Sequence, residues 1–348
     1  MLPKPCGLHG HAGRLNMNML VADLGGTQSR FFRFSCEDKE ISVKEGVVLS
    51  SRVTSFEALF EELFSRWPDD KKILKNISVL IFAAAGPVRD GRIFMTNASF
   101  VVDADVAKAR FPGSSCLVMN DFEAQAWACL SPVMRSAERL VPGRTFPAEG
   151  CGPEPFDGRA PVAVVGAGTG LGAAWLMPEK GWRKAFVLPS EAGHVPFPFE
   201  GGQERDFADF LTARRGAEPT AEHVLSGPGL ALLHEYLEGK AGDPAVFTAE
   251  PGFAESSCCR WFARFYGRFC RMAALSLLPQ ALVVTGGVAG RTPALVRNEA
   301  FACEFLRARG EQKTFLESLP VWLNAHPQAG LWGAARAGAA FAEECGLY

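Results

Sequence analysis

The stretch VAVVGAGTGLGAAWL, residues 162–176, runs as a plain apolar strand to Val165, places glycine at 166, 168, 170 and 172, and turns apolar again. Glycine in every second place between two apolar runs fits a hairpin better than the entry to a helix. A backbone without Cβ atoms lets another group come close. An earlier stretch, MLVADLGGTQSRFF from Met19 to Phe32, has the same grammar: an apolar run ending in Asp23, a compact turn with Gly25, Gly26 and Thr27, and a second apolar run. Consecutive N–H groups in such turns form an anion cradle, so the pair reads as two hairpins gripping one anionic ligand. Each turn alone is as well read as a simple hairpin. Neither is a Walker loop, since neither closes with GKS or GKT, and the four glycines lack GxGxxG spacing.

Working outward, Asn18–Asp23, Ser29–Phe34 and Ile41–Ser50 read as a three-stranded meander. SFEALFEELFSRW from Ser55 offers an N-cap serine and apolar residues at 56, 59, 60, 63, 64 and 67, the stripe of a core-facing helix. ISVLIFAAAG from Ile77 is almost entirely apolar, as a strand covered on both faces is. An RDGR turn, a short strand ending near Thr96 and a helix from about Asp103 follow. SSCLVMND then delivers Asn120 and Asp121 to a strand's carboxyl end, where open α/β sheets place their ligands. Residues 131–159, rich in Pro and Gly, read as a connecting excursion. Further on, CCRWFARFYGRFCRMAALSLLP from Cys258 is a long helix with one buried face, stopped at Pro279; its aromatic stripe is core. ALVVTGG from Ala281 and LPVWLNAHP from Leu319 are strands, and GLWGAARAGAAFAEE from Gly330 is an Ala-rich helix. Strand, glycine turn and strand occurring twice is consistent with two related halves.

The chain's 348 residues exceed the roughly 100–200 typical of one domain, so two domains or one large α/β unit are expected. With 48% hydrophobic and 21% charged residues the composition is that of an ordinary globular protein. A formal charge of −2 supplies no basic field for nucleic acid. No apolar run reaches the roughly 18 residues of a membrane helix, so no membrane partner is expected. The ten cysteines include no CxxC pair and no regular framework, and read as reduced, mostly buried thiols of a cytoplasmic enzyme. Residues 1–17 lack the apolar centre of a secretion signal and read as a flexible tail, with Cys6, His9 and His11 on it.

Four groups of residues offer chemistry. A carboxylate at Asp23 would repel phosphate unless a cation came between, which points to Mg²⁺ with its hydration shell; the alternative is an Asx-type cap on the turn. Phosphate transfer to an alcohol needs a group that orients the hydroxyl and takes its proton, and Asp121 is the candidate base. A helix N-cap is its structural alternative, compatible with that role. PSEAGHVPFPF supplies Glu191 and His194 in one short loop. Zinc ligation there lacks an HExxH pair and a neighbouring cysteine, whereas a polyol is matched well by a carboxylate acceptor and an imidazole that donates and accepts. Glu222 and Asn97 are further candidates.

In combination these residues are specific. DLGGTQSR, AAAGPVRDGRIFMTN, MNDFEAQAWA, VVGAGTGLGAAWL, SEAGHVPF, AEHVLSGPGL and VTGGVAGR follow one another in the order and approximate spacing of bacterial ATP-dependent glucokinases, over about residues 18 to 340. The chain resembles that family, in its non-ROK branch, because the zinc-binding cysteine cluster typical of ROK sugar kinases is not visible. The resemblance implies an α/β, two-domain actin/hexokinase-like (ribonuclease H-like) fold with an interdomain active-site cleft. Its small domain would comprise residues 18–119 and 327–348, its large domain 120–326. It implies ATP and Mg²⁺ as cofactors and glucose or a related hexose as substrate, and it allows a homodimer. Asp23, Gly25, Gly26 and Thr27 would form the first phosphate motif, Gly168, Thr169 and Gly170 the second, and Gly286 and Gly287 the adenosine side. ATP phosphates would then be what approaches the glycine turns. The family pattern puts the base on Asp121 and sugar contacts on Asn97, Asn120, Asp121, Glu191, His194 and Glu222. Gln28 stands where asparagine is common, Phe100 where tryptophan is usual, and Ala192 where glycine is frequent; none removes a catalytic group. Glucose 6-phosphate and ADP are the implied products, in the first step of glycolysis. A kinase for another hexose or hexosamine, a sugar or nucleotide sensor, and an actin-like ATPase are the rival readings.

Overall fold

A computed structural model describes residues 16–25, 28–37, 40–50, 53–67, 76–96, 98, 100–141, 156, 160–178 and 185–347. The chain divides into two compact units, Met1–Asn120 with Ala334–Tyr348, and Asp121–Gly333. The expected tail over residues 1–17 lies outside the described residues up to residue 15, and the first strand already takes in Asn16 and Met17.

In the first unit the strands are β1 (Asn16–Leu24), β2 (Gln28–Glu37), β3 (Glu40–Ser50), β4 (Val79–Ala84), β5 (Val88–Arg89), β6 (Arg92–Phe94), β7 (Val101–Asp103) and β8 (Ser115–Asn120). The main sheet has the order β3-β2-β1-β4-β8: an antiparallel meander continued by parallel β4 and β8. β4 is buried at every position, which accounts for its uninterrupted apolar sequence. Leu20, Ala22, Leu24, Leu80, Phe82 and Ala84 share one core with Phe56, Leu59, Phe60 and Leu63 of the Phe56–Arg66 helix. Ser55 caps that helix, its Oγ accepting from Ala58 N at 3.1 Å. Phe100 belongs to this core, stacked 6.3 Å from Phe56. The opposite sheet face packs on the C-terminal Ala329–Glu344 helix, where a Cβ on Gly338 would stand 2.7 Å from Ile81 and 3.4 Å from Met19. β5, β6 and β7 form a separate small sheet, turned at Asp90 and Gly91, whose positive φ values are those of an Asp-Gly hairpin.

The second unit contains β9 (Glu138–Val141), β10 (Val162–Ala167), β11 (Leu171–Pro178), β12 (Ala185–Ser190), β13 (Ala281–Thr285) and β14 (Val321–Leu323), in the order β12-β11-β10-β13-β14-β9. The meander β12-β11-β10 followed by parallel β13 and β14 repeats the connectivity of the first sheet, so the two halves are topologically related. β9 corrects the reading of residues 131–159 as a mere connection. It is a four-residue edge strand antiparallel to β14, too short to stand out beside its prolines, with Arg139 over the Trp322 ring at 5.1 Å.

Strict alternation gives this sheet two apolar faces. Ala163, Val165, Ala167, Leu171, Ala173 and Trp175 pack with the helices Gly201–Arg215, Gly227–Glu238, Ser257–Leu277 and Glu299–Phe305. Val162, Val164, Ala174, Leu176 and Val283 face the Asp121–Trp127 helix and its continuation. Under the first face lies a buried ion network. Arg268, 1% exposed, makes a two-pronged contact with Glu204 at 2.6 and 3.0 Å, reaches Glu304 at 3.2 Å, and donates to Pro198 O at 2.8 Å. Arg264 and Arg271 add second cations to Glu204 and Glu304, at 3.1 and 3.0 Å.

Among the described residues no helix is long and apolar enough to cross a membrane. Eight described cysteines are free, five of them buried. Burial pushes the Cys129 and Cys258 thiols up to about 12, which leaves them protonated and unreactive.

Arg268→Met should lower stability by about 3–5 kcal/mol, because it strands buried carboxylates, measured as a shift of the urea unfolding midpoint. A loss below about 1 kcal/mol would mean that Arg264 and Arg271 hold Glu204 and Glu304 without it.

Candidate functional site

Site residues fall in both units, each set with its own geometry. In the first, the carboxyl ends of β1, β4 and β8 are level: Leu24 lies opposite Ala84, and Ala84 opposite Asn120. Asp23, one residue earlier, faces Arg30 across the β1–β2 hairpin, with Oδ2 3.7 Å from the guanidinium. Burial raises the Asp23 pKa above the usual carboxylate value, and Arg30 offsets this only in part. The side chain nevertheless keeps 34% of its surface open, so a further cation has an approach. Arg30 was missed in the sequence; its signal is the hairpin register, which sets residues 23 and 30 directly opposite. Gly25 N donates to Gln28 O at 2.9 Å and closes the turn. Gly26 and Thr27 lie outside the described residues. Asn120 Nδ2 donates to Gly86 O at 3.2 Å, and Thr96 N to Ala85 O at 3.1 Å. Asn97 lies outside the described residues.

In the second unit the β10–β11 hairpin gathers the other candidates. Leu171 is the hub. Its N–H donates to Glu222 Oε2 at 3.0 Å, while its carbonyl lies so near Gly193 that a Cβ there would be 2.1 Å from the oxygen. Gly193 sits in the single 3₁₀ turn Ala192–His194, so the Glu191 loop is seated on the hairpin. Ala192 donates its N–H to Ser190 Oγ at 3.1 Å. Gly168 N donates to Gly170 O at 2.7 Å, and Gly227 N to Gly168 O at 2.8 Å, tying the turn to the start of the Gly227–Glu238 helix. Gly286, at φ 90°, opens the Gly287–Arg291 helix and comes against Ala167, where a Cβ would be 2.6 Å from the carbonyl oxygen. Asp121 is the first residue of the Asp121–Trp127 helix, where a carboxylate is favoured by the helix dipole.

Three of the four glycines have close neighbours within the protein. Gly166 and Gly172 are cross-strand partners, and the Phe122 ring fills the space beside both. At Gly170 a Cβ would stand 2.4 Å from Glu222 Oε2, whereas at Gly168 it would meet nothing within 4 Å. At 166, 170 and 172 the protein's own groups occupy the space a Cβ would need, which by itself accounts for glycine there. Phe122 and Tyr266, like Arg30, are residues that sequence reasoning missed. Tyr266 is fully buried, and its Oη accepts from Ala167 N at 3.0 Å. Its signal was rarity, for the chain has 3 tyrosines against 27 phenylalanines, so a buried tyrosine implies a use for the hydroxyl.

Glu191 and His194 approach at 3.4 Å and are largely exposed, 80% and 61%, so their polar atoms stand open to a solute. Among the described residues no group of three His, Cys, Asp or Glu is placed to hold a metal ion.

Comparison with known proteins places this arrangement. A glucokinase from Yersinia pestis (strain Pestoides F) is 29% identical over 329 residues, 90% of this chain and 94% of the relative. The solved glucokinase of an Antarctic psychrotroph superposes with a TM-score of 0.73 at 24% identity, covering 93% of this chain and 99% of the other. That of Balamuthia mandrillaris, in complex with glucose, gives 0.73 at 19% identity, covering 95% of each chain. The fold is the actin/hexokinase-like ATPase fold of sugar kinases. The family model described as Glucokinase matches residues 20–340, and the chain belongs to the glucokinase family.

Glu222→Ala should lower stability by about 1–3 kcal/mol by leaving Leu171 N–H without its acceptor, read from chemical unfolding. Glu222→Gln keeps an acceptor and should cost less than about 1 kcal/mol; equal losses in the two variants would show that the hydrogen bond is not what matters.

Proposed function

We propose that this protein transfers the terminal phosphate of ATP to the 6-hydroxyl of glucose, giving glucose 6-phosphate and ADP, as the entry step of glycolysis in the cytoplasm. The observation that carries the reading is the hub at Leu171. One residue fastens Glu222 through its N–H and the Glu191–His194 loop through its carbonyl, so sugar-side groups stand at the turn of Gly168, Thr169 and Gly170.

In this reading Glu191, His194, Glu222, Asn120 and Asn97 bind and orient the sugar hydroxyls, carboxylates accepting and imidazole and amides also donating. Asp121 hydrogen-bonds the 6-hydroxyl and takes its proton as the bond to phosphorus forms. An ordinary carboxylate suffices, because in a loose transition state the proton leaves late and positioning carries much of the rate. Backbone N–H groups of the two glycine turns other than those of Gly25 and Gly168, which close their own turns, would meet the phosphates, and Gly286 and Gly287 the adenosine. Asp23 offers a single hard oxygen donor with an open approach, which fits Mg²⁺ kept largely in its water shell. When bound, that ion would neutralise charge on the phosphates.

ADP release from Mg²⁺-ATP should be strong with glucose, weaker with mannose, fructose, glucosamine or N-acetylglucosamine, and absent without sugar. Preference for another acceptor would move the substrate, acceptor-independent release would replace the kinase by an ATPase, and no release at all would favour a sensor. Asp121→Asn should retain sugar binding and lose about 10²–10⁴-fold in kcat; near-normal turnover would reject it as the base. Glu191→Gln should raise the sugar KM, and chelation of Mg²⁺ should abolish turnover.

A further inference from the structure

We propose that Phe122 is a positioning residue for Asp121, holding it by a ring seated in a slot that Gly166 and Gly172 leave open on the β10–β11 hairpin. This rests on the reading of Asp121 as the base. The two glycines face each other across the hairpin, and the side chains of the neighbouring positions on that face, Val164 and Ala174, belong to the apolar patch Phe122 joins. A Cβ on Gly172 would stand 2.1 Å from Phe122 Cδ2, and one on Gly166 2.7 Å from Cζ. Real Cβ atoms do not come so close, so the slot is shaped for this ring.

The Asp121–Trp127 helix has only seven residues. A helix that short is not held by its own hydrogen bonds, and its position is inherited from what it packs on. Two further contacts fix its later turn: Thr285 Oγ1 and Gln125 Oε1 are 3.0 Å apart, and Ala124 O lies where a Cβ on Gly333 would come within 1.7 Å. Phe122 stands next to Asp121 in the first turn and ties that turn to the hairpin bearing Gly168–Gly170, so the proton acceptor and the phosphate-side turn share one support. A displacement of about 1 Å at a reacting group can cost about 10²-fold in rate.

The test compares Phe122→Leu, Gly172→Ala and their combination with the parent enzyme, each scaled to its folded, sugar-binding fraction by titration with glucose. Positioning predicts that each single variant loses about 10–10²-fold in kcat, with sugar and nucleotide KM within about 2-fold. The combination should recover part of the loss, because the smaller side chain makes room for the new methyl. If Phe122→Leu fails to fold, Phe122→Met, closer in volume, takes its place. Core filling alone predicts lower stability with unchanged kcat per folded molecule, and that result overturns the proposal, as does a double variant whose losses simply multiply. Asp121→Asn run alongside separates the two claims. If it is active, the base reading fails whatever Phe122 does; if it is inactive while Phe122→Leu keeps full kcat, only the positioning fails.

Discussion

Two missing Cβ atoms, at Gly166 and Gly172, are the constraint around which the second unit is arranged. They let an aromatic ring lie against a hairpin, and the same hairpin comes close to other groups: the Glu222 carboxylate at Gly170, Gly193 at the Leu171 carbonyl, and the Gly286 turn at Ala167. At Gly193 and Gly286 both partners are backbone, so these contacts have almost no slack, neither being a flexible side chain that can swing aside. Segments far apart in sequence are thereby locked to one short stretch. Glu222 is 51 residues from Leu171, and Tyr266 is 99 from Ala167.

Polar groups in this unit divide by role. Some are buried and hydrogen-bonded within the fold: Arg268 with Glu204 and Glu304, and Tyr266 with the hairpin backbone. The network also reaches Pro198 O, a few residues beyond the Glu191 loop, so it steadies the chain that carries the sugar-side candidates. Glu191 and His194 remain open to solvent. Glu222 stands between these classes, with one oxygen engaged by Leu171. In the first unit Asp23 holds a similar middle position, penalised by burial, eased by Arg30 and still accessible.

Most elements could be read from the sequence because their periods are strong. The stripe of Phe56, Leu59, Phe60 and Leu63 and the unbroken apolar run of β4 each admit one interpretation. β9 escaped because four residues are too few to show a period. The hairpin at 162–176 was legible as a hairpin, but what lies against its glycines was not. A glycine announces only that something comes near, and the identity of the neighbour is a tertiary fact. Asp121 could be picked out because it closes an apolar strand, whereas Phe122 beside it looks like any core residue until the slot is seen.

The composition of the first unit has a consequence for biosynthesis. Its sheet is complete in sequence by Asn120, yet the face bearing Met19 and Ile81 is covered by a helix around Gly338. Closing so long a loop adds only slightly to the entropic cost. Time is the larger matter: at roughly 5–20 residues per second, translation leaves that apolar face uncovered for ten seconds or more. That interval is the synthesis of the second unit, which receives its last residue, Gly333, just before the covering helix is completed, while the earlier-made sheet waits. The nascent chain thus finishes its parts in the reverse of the order in which it began them, and the uncovered sheet is the part that most needs shielding by a chaperone.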